Sequence, residues 1–252
     1  MDLSQFSLEG KVALVTGVSR GLGQAMTVAL AKAGADIVGL GMRGMGPTRA
    51  LVEAEGRRTY EIHADLGQRD AAAAAAAEAV AAFGKVDILV NNAGIIKLSS
   101  AEDHTMEDFD AVMEVNLRSL FLLTRDIARQ MIALGHGKII NTCSVQSERG
   151  GSGDAAYVAS KHAVHGLTRA WANEWGKYNI QVNGIAPGYM VTDNTAKLRQ
   201  NQAAVESITS QIPMGRWGQP ADLMGPVVFL ASDASNYVNG HLLAVDGGYL
   251  NM

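Results

Sequence analysis

The sequence is poor in cysteine, in long apolar runs and in recognisable targeting segments. Cys143 is its only cysteine, so an intrachain disulfide is excluded, and its place in an apolar run favours a buried side chain. No stretch reaches 18 consecutive apolar residues, and the first residues carry neither a basic flank nor the apolar core of a secretory signal. We therefore expect a cytoplasmic protein with no membrane segment.

Positive charge is also scarce. The 252 residues include 21 Lys and Arg against 25 Asp and Glu, which gives a net charge of -4, and they contain no basic block. Proteins that bind a phosphate backbone usually carry such a block, so we expect no nucleic-acid partner. None of the 6 histidines has the spacing of a metal-ligand set, which predicts that the protein has no metal site.

Hydrophobic residues are abundant, at 48%, and they fall into alternating short apolar runs and helical patterns. Strands are predicted at 11–16, 36–41, 58–63, 86–90, 138–144, 180–186 and 241–245. Helices are predicted at 22–32, 68–83, 106–112, 117–134, 220–231 and from Tyr157 to about 175. This order is typical of a parallel sheet covered by helices on both faces. We expect a single α/β domain over 1–252, with a mobile, polar, helix-prone lid at about 189–212.

A glycine-rich turn links the first predicted strand to the first predicted helix. It runs from Thr16 to Gly23 and contains Gly17, Ser19, Arg20, Gly21 and Leu22. Such a turn directs backbone N–H groups and a helix N-terminus at an anion, usually a pyrophosphate. The glycine spacing differs from the G-x-G-x-x-G form, so a tight turn without a ligand stays as the alternative.

The end of the second predicted strand bears on the choice of cofactor. NAD-dependent folds place an acidic residue there, which binds the ribose 2′-hydroxyl. Here the strand ends at Gly41, followed by Met42 and Arg43, and no carboxylate is present. Arg20 and Arg43 are placed to bind a 2′-phosphate, which favours NADP(H) over NAD(H). The alternative is that both arginines are solvated and that the site accepts either cofactor.

Two further segments lie at strand ends on the same predicted edge of the sheet. Asp65 and Leu66 follow the third strand, and Asp65 is placed either to meet the adenine or to cap the next helix. The segment Asn91-Asn92-Ala93-Gly94 follows the fourth strand. Small and amide residues at that position allow a cofactor to approach the backbone closely.

A tyrosine and a lysine are spaced for acid–base chemistry. Tyr157 and Lys161 are four residues apart, so a helix places them on one face. A neighbouring ammonium lowers the pKa of a phenol, which can then exchange a proton with a carbonyl or alcohol oxygen. Ser144 ends the preceding strand and is predicted to meet them. Asn116 interrupts an apolar pattern, and it is either a helix break, a buried hydrogen-bonding residue or a polar residue on an exposed face.

Together these motifs resemble the short-chain dehydrogenase/reductase family over nearly the whole chain. The resemblance implies a Rossmann-type doubly wound domain with a seven-stranded parallel sheet, and a homotetramer with the Tyr157 helix and the last strand in interfaces. It implies that Tyr157 is the acid/base, Ser144 binds the reacting oxygen, Lys161 binds the nicotinamide ribose, and Asn116 holds a proton-relaying water. It implies NAD(P) binding by Gly17, Ser19, Arg20, Gly21, Leu22, Gly23, Asp65, Leu66, Asn92, Ala93, Gly94, Tyr157, Lys161, Pro187, Gly188 and Thr192.

Five further segments resemble the branch of this family that oxidises sugar acids such as 2-deoxy-D-gluconate or 2-dehydro-3-deoxy-D-gluconate. They are 6–12, 172–175, 185–190, 212–218 and 237–240. A carboxylate on such a small-molecule substrate needs a cation, and the candidates are Lys97, Arg149 and Arg216, with Gln146 for a hydroxyl. For each of these cations the alternative is a solvated surface charge.

Three other functions stay open from the sequence. Gluconate 5-dehydrogenases are similar, and 3-oxoacyl-carrier-protein reductases share the form of the glycine turn. A carrier-protein reductase needs a basic patch for its acidic partner, for which Arg125 and Arg129 are available. The third possibility, a nucleotide sensor without catalysis, has no need of a tyrosine–lysine pair.

Overall fold

The computed structural model describes residues 3–251. They contain one seven-stranded sheet in which all neighbouring strands are parallel. The strand order is β3-β2-β1-β4-β5-β6-β7. The strands are β1 (Val12–Thr16), β2 (Asp36–Gly41), β3 (Thr59–His63), β4 (Ile88–Asn91), β5 (Gly137–Thr142), β6 (Ile180–Pro187) and β7 (Leu242–Val245).

The α-helices lie on both faces of this sheet, as the alternating pattern predicts. They are α1 (Gly21–Lys32), α2 (Thr48–Ala54), α3 (Ala71–Phe83), α4 (Met106–Met113), α5 (Ser119–Leu134), α6 (Ala155–Trp175), α7 (Ala196–Arg199), α8 (Gln202–Thr209) and α9 (Met224–Ala231). Within residues 3–251, no helix is both long enough and apolar enough to cross a bilayer.

Two hydrophobic cores sandwich the sheet because successive strand side chains point to opposite faces. In β1, Val12 and Leu14 join the core beneath α3, α5 and α6, whereas Ala13 and Val15 join the core beneath α1 and α9. All five residues of β1 are buried. A central strand buried on both faces reads as a continuous apolar run, which is why the sequence predicts β1 correctly.

The strand order reverses between β1 and β4. From β1 the chain proceeds outward through β2 and β3, and it then returns to pair β4 on the other side of β1. In open parallel sheets ligands bind outside the carboxyl ends of the strands at such a point. This topology brings to one edge the glycine turn after β1, the Asn91–Gly94 segment after β4 and Ser144 after β5.

Predicted and observed elements differ most clearly in three places, and several other bounds shift by a few residues; the predicted helix 220–231, for example, begins as a 3-10 turn before α9. The helix α2 is absent from the sequence prediction, and the helix of the alanine run begins at Ala71 rather than at 68. The gap predicted between the helices over 106–112 and 117–134 does not exist, because a π-helical turn, Glu114–Arg118, joins α4 to α5 without a break.

Candidate active site and cofactor cleft

Tyr157 and Lys161 lie on one face of α6, as their spacing predicts. Lys161 is 5% exposed, and its Nζ lies 5.5 Å from the centroid of the half-buried Tyr157 ring. The same Nζ donates a 2.6 Å hydrogen bond to the carbonyl oxygen of Thr142, the last residue of β5. The ammonium is thereby held at the carboxyl edge of the sheet. An ammonium has three N–H donors, and among residues 3–251 this one has a single hydrogen-bond partner.

Ser144 lies two residues beyond β5 and begins a short 3-10 turn, Val145–Ser147. Its Oγ accepts a 3.1 Å hydrogen bond from the backbone N–H of Gln146. Ser147 fixes this turn against α6, since its Oγ accepts from the Ser144 N–H and donates 2.9 Å to the Lys161 carbonyl oxygen. The turn therefore places Ser144 on the same side of β5 as Lys161.

Asn116 is buried in the π-helical turn, 1% exposed, which rules out the exposed-face interpretation. Its side chain accepts from the N–H of Ile95 at 2.8 Å and donates to the carbonyl oxygen of Ile95 at 2.9 Å. It also donates 3.1 Å to the Oγ of Ser160, the residue before Lys161. Asn116 thus connects α6 to the chain that follows β4. Single π turns inside helices are frequent at functional sites.

The glycine turn is braced by the residues that follow β4. The Asn92 side chain donates to the carbonyl oxygens of Thr16 and Gly17, at 3.0 and 3.1 Å. The Thr16 Oγ accepts from the backbone N–H groups of Asn92 and Ala93, both at 2.9 Å. Gly17 has φ +69°, and a Cβ there would lie 2.9 Å from the Asn92 amide nitrogen, so this position requires glycine.

The turn fits a dinucleotide pyrophosphate. It leads into α1, whose N-cap residue Arg20 forms no side-chain capping bond, so a side-chain cap does not occupy the N-terminus. Gly21 has φ +58°, and a Cβ there would lie 3.9 Å from a methyl group of Thr192. Thr192 therefore borders the turn. The turn, Thr192 and Lys161 all lie at the carboxyl edge of the sheet, and the region between them, here called the cofactor groove, has residue types that suit a nicotinamide dinucleotide.

The two arginines that the sequence offers for a 2′-phosphate differ in their surroundings. Arg20 forms a 2.6 Å ion pair with Asp193, and both side chains are largely exposed. Arg43 is exposed just beyond β2, and among residues 3–251 it has no ion-pair partner. The loop around Arg43 packs beside the turn, since a Cβ on Gly46 would lie 3.6 Å from the Cβ of Ser19. Arg43 is therefore the arginine that is available to a ligand.

Asp65 and Leu66 contribute local structure at the end of β3. The Asp65 carboxylate accepts a 2.9 Å hydrogen bond from the Gly67 N–H, and it does not cap a helix, because the N-cap position of α3 is Asp70. Leu66 is 7% exposed and packs in the core. The helix-capping interpretation of Asp65 is therefore wrong.

The last predicted cofactor residues end β6. Pro187 pairs with Val245 of β7, and the Gly188 N–H donates 3.1 Å to the Val245 carbonyl oxygen. A Cβ on Gly188 would lie 2.8 Å from the Cα of Asp246, so the backbone segments after β6 and β7 approach each other as closely as glycine allows.

The four candidate substrate residues have different partners. Lys97 pairs with Asp108 at 3.0 Å, and Arg216 forms two contacts with Asp222, at 2.8 and 3.0 Å. The pKa of Asp222 is lowered by its hydrogen bond from Arg216. These two cations are already paired with carboxylates. Arg149 has no carboxylate partner among residues 3–251.

Arg149 and Gln146 lie close to the candidate reacting groups. Arg149 donates 3.2 Å to the Tyr249 carbonyl oxygen, and its guanidinium lies 4.9 Å from the centroid of the Tyr249 ring. Tyr249 in turn meets the Tyr189 ring edge to face at 5.4 Å. Burial, together with the Tyr249 hydroxyl, raises the pKa of Tyr189 to about 12, so Tyr189 is neutral. Gln146 follows Ser144 directly in the 3-10 turn.

Several positioning residues escape the sequence analysis. Ser147 and Ser160 are small polar residues in α6 or beside it, and no spacing distinguishes them from surface serines. A buried amide relay also crosses the sheet: Asn91 donates to Thr124 on α5 at 2.8 Å and to Asn141 on β5 at 2.9 Å, and Asn141 donates to Thr168 on α6 at 2.9 Å. Polar residues inside apolar strands were the available signal for this relay.

Cys143 and the possible metal ligands do not add to the site. Cys143 is 1% exposed, and burial raises the pKa of its thiol to about 11, which suits the structural role that the sequence predicts. Over residues 3–251, no three His, Cys, Asp or Glu side chains are grouped so that they could hold a metal ion.

Comparison with known proteins shows clear relatives. The family described as Enoyl-(Acyl carrier protein) reductase matches residues 17–250. The 2-dehydro-3-deoxy-D-gluconate 5-dehydrogenases of Dickeya dadantii and Escherichia coli are 53% and 52% identical over 251 residues, which is 99% of this chain and 99% of each relative. A gluconate 5-dehydrogenase from Burkholderia cenocepacia, crystallised with NADP and tartrate, superposes with a TM-score of 0.90 at 40% identity and covers 99% of both chains.

Proposed function

Because the chain belongs to the short-chain dehydrogenase/reductase family, we propose that it is an NAD(P)-dependent oxidoreductase that interconverts a secondary alcohol and a ketone on a sugar acid. The observation that supports this proposal best is the position of Lys161. Its buried ammonium lies beside the Tyr157 ring and has N–H groups to spare at the edge of the sheet that carries the glycine turn.

The proposed roles follow from these contacts. Tyr157 gives a proton to the substrate oxygen during ketone reduction and takes it back during alcohol oxidation. The Ser144 hydroxyl hydrogen-bonds to the same oxygen and orients it. Lys161 stabilises the phenolate and binds ribose hydroxyls with its remaining N–H groups. A bound nicotinamide would supply the hydride chemistry itself.

Asn116 has a positioning role in this proposal. Its bonds to Ile95 and Ser160 fix α6 relative to the chain after β4, and they keep Tyr157 and Lys161 in register with the cofactor groove. The water relay that the family resemblance implies for Asn116 is part of the proposal. The buried, polar surroundings of this side chain suit such a water.

For the cofactor we propose NADP(H) as the preferred form. Arg43 is exposed beside the end of β2 and pairs with no carboxylate in the part of the chain that the structure describes. No acidic residue directly follows that strand in the sequence to bind a 2′-hydroxyl. The gluconate 5-dehydrogenase of Burkholderia cenocepacia was crystallised with NADP. We propose the remaining contacts at the residues expected from the sequence, with Arg20 also engaged by Asp193.

For the substrate we propose 2-dehydro-3-deoxy-D-gluconate or a related sugar acid, with Arg149 as the partner of its carboxylate. The names of the relatives support the substrate class. The contact of Arg149 with Tyr249 holds the guanidinium in place without neutralising its charge. Lys97 and Arg216 are weaker candidates because Asp108 and Asp222 already pair with them.

We propose a cytoplasmic homotetramer made of single-domain chains. The outer faces of α5, α6 and the end of the π-helical turn present a mostly apolar surface, lined by Leu117, Arg118, Phe121, Leu122, Ala163, Gly166, Leu167 and Ala170. A second copy of the chain is the occupant that the family resemblance implies. The segment 189–212 is the proposed lid; it carries α7 and α8 and contacts the glycine turn through Arg20 and Asp193.

A substrate panel tests the proposed function. Purified protein is assayed with NADP(H) and with NAD(H) against 2-dehydro-3-deoxy-D-gluconate, 2-deoxy-D-gluconate, gluconate and an acetoacetyl thioester. We expect turnover of at least one sugar acid, a higher kcat/KM with NADP(H), and little activity on the thioester. Activity on the thioester alone would favour a 3-oxoacyl-carrier-protein reductase. Cofactor binding without turnover of any substrate would favour a nucleotide sensor.

The structure provides one reason to rank the carrier-protein reductase second. Arg125 and Arg129, which the sequence offers as a docking patch, both pair with Asp126, at 2.8 and 3.1 Å. Their charge is partly compensated on the surface. An acidic carrier domain would therefore meet a weaker positive field there than the sequence alone predicts.

A further inference from the structure

Asp154 is a buried carboxyl group with unused hydrogen-bonding capacity. The residue is 4% exposed, and its Oδ1 is buried without a hydrogen-bond partner among residues 3–251. It stands immediately before α6, three residues from Tyr157, but its side chain does not cap that helix. Among the same residues no cation pairs with it. Burying a carboxylate without full compensation is unfavourable.

The surroundings of Asp154 place it on the substrate side of Tyr157. The Gln146 amide nitrogen and the Asp154 Oδ1 both face Gly151, and Gln146 bonds through its backbone to Ser144. The Asp154 carboxylate and Arg149 both act electrostatically on the hydroxyl of the half-buried Tyr189. Desolvation by burial raises the pKa of Asp154. Gln146 and Arg149 are proposed substrate residues, whereas the proposed cofactor residues lie at the glycine turn and Thr192.

A glycine loop covers this carboxyl group. A Cβ on Gly151 would collide with the Asp154 Oδ1 and with the Gln146 amide nitrogen. Any side chain at 151 would therefore occupy the space in front of both polar groups. Gly150 and Gly151 are exposed, and glycine backbone reorganises at low energetic cost, so a ligand can reach Oδ1 by displacing this short loop.

We propose that Asp154 is a specificity-determining residue, and that its free carboxylate oxygen accepts a hydrogen bond from a hydroxyl on a substrate carbon near the one that is oxidised. The proposal rests on the proposed function and deepens it. The Gln146 amide lies beside the same glycine as this carboxylate, and Arg149 binds the acid group of the same substrate. A site of this kind selects polyol acids, because a substrate lacking that hydroxyl leaves the buried oxygen unpaired.

The test is a cycle between protein variants and substrate hydroxyls. The kcat/KM of the wild type, Asp154→Ala and Asp154→Asn is measured on gluconate and on a series of gluconates that each lack one hydroxyl. Hydrogen bonds to charged groups contribute about 1.5–3 kcal/mol, so we expect Asp154→Ala to lose roughly 10–100-fold on substrates that carry the hydroxyl. On the one analogue without it, wild type and variant should have equal kcat/KM. Asp154→Asn keeps an acceptor oxygen and should lose less.

Controls separate this role from a structural one. Asp70→Ala changes another aspartate that directly precedes a helix without capping it through its side chain, and this variant should leave every kcat/KM unchanged. NADPH binding and thermal melting of each variant report folding. Equal losses on every analogue would overturn the proposal, because a disturbed α6 affects all substrates alike. No loss on any analogue would overturn it too. A wild type that binds NADPH but turns over no sugar acid contradicts the proposed function itself.

Discussion

At the scale of single residues, the candidate site depends on a buried cation whose described hydrogen bond goes to a neutral group. Lys161 is 5% exposed, and its Nζ bonds to the Thr142 carbonyl oxygen. A carboxylate in that place would neutralise the ammonium and weaken its effect on the neighbouring phenol. A carbonyl oxygen orients the side chain and leaves its positive charge available to Tyr157.

Replacing the phenol tests the acid–base role. We expect Tyr157→Phe to lower kcat by 10²–10⁴-fold, the range that general acid–base catalysis contributes, because the ring stays and the transferable proton is lost. Cofactor affinity, measured by NADPH fluorescence, should change little. Near-normal turnover in this variant would remove Tyr157 from the proposed mechanism.

The cofactor preference is also decided by single side chains. We expect Arg43→Ala to raise the KM for NADP by roughly 10–100-fold, because a charge-assisted hydrogen bond to the 2′-phosphate is lost, with no change for NAD. Arg20→Ala is the matched comparison, and its effect should be smaller because Arg20 also pairs with Asp193. Steady-state kinetics with both cofactors measure this. An equal effect of Arg43→Ala on NAD and NADP would argue against the assignment.

Site residues could be predicted from the sequence only where their spacing along the chain corresponds to a defined geometry. The four-residue interval between Tyr157 and Lys161 becomes one helix face, and this follows from helix geometry. Ser160 and Asp154 lie in the same stretch, but their importance depends on Asn116 and Gln146, which are distant or in another turn. Contacts of this kind are set by tertiary packing, and no local pattern records them.

At the scale of elements, the strands follow from their apolar runs, while irregular joints do not. The bounds of β2 agree with the sequence prediction, because a strand that is buried on both faces has a clear apolar run in its sequence. The π turn at Glu114–Arg118 was predicted as a gap, since a polar residue among apolar ones usually ends a helix. Here the Asn116 side chain satisfies backbone groups of Ile95, so the helix continues.

The strand β5 carries a second buried lysine, at the amino end of the sheet. Lys138 is 8% exposed and donates to Ser235 and Asn236. Burial lowers its pKa to about 8. Between about pH 8 and the unperturbed value near 10.5 the unfolded chain binds more protons than the folded one, so this group makes stability rise with pH across that window.

Lys138→Met should therefore stabilise the protein at pH 7. We expect a gain on the order of 1 kcal/mol in the free energy of unfolding, because the cost of a buried charge is removed. The gain should shrink as the pH rises toward and beyond 10.5, because the wild-type lysine then loses its proton in the unfolded chain as well as in the folded one. Urea denaturation at pH 7, 8.5 and 10 measures it, with Lys197→Met as the exposed control. A difference that does not vary with pH would contradict this account.

At the scale of the whole molecule, one hydrophobic core lies between the sheet and α1 and α9, and the other lies between the sheet and α3, α5 and α6. The outer faces of α5 and α6 remain apolar. Phe121 is 38% exposed there. The fold class was predictable because alternation of strands and helices admits few arrangements. A chain's partners are less predictable, since a surface of this kind shows only that some apolar area lies outside the monomer core.

Gly166 offers a clean test of the proposed tetramer. It lies on α6, and a Cβ there meets nothing within 4 Å, so Gly166→Glu fits the monomer and favours its helix by up to about 1 kcal/mol. In a copy-to-copy interface the same glutamate buries an unpaired charge, and we expect dissociation into smaller species. Sedimentation velocity measures this dissociation, and Ala74→Glu, at an exposed position of α3, is the control. A tetramer that survives Gly166→Glu would place the interface elsewhere.

The brace between Asn92 and the glycine turn has a consequence for affinity. The four hydrogen bonds that join Thr16 and Gly17 to Asn92 and Ala93 form within the protein alone. A loop that is already shaped loses little conformational entropy when a nucleotide docks, so more of the contact energy survives as binding free energy. A flexible phosphate-binding loop would become ordered only when the nucleotide binds, whereas much of this ordering is completed here during folding.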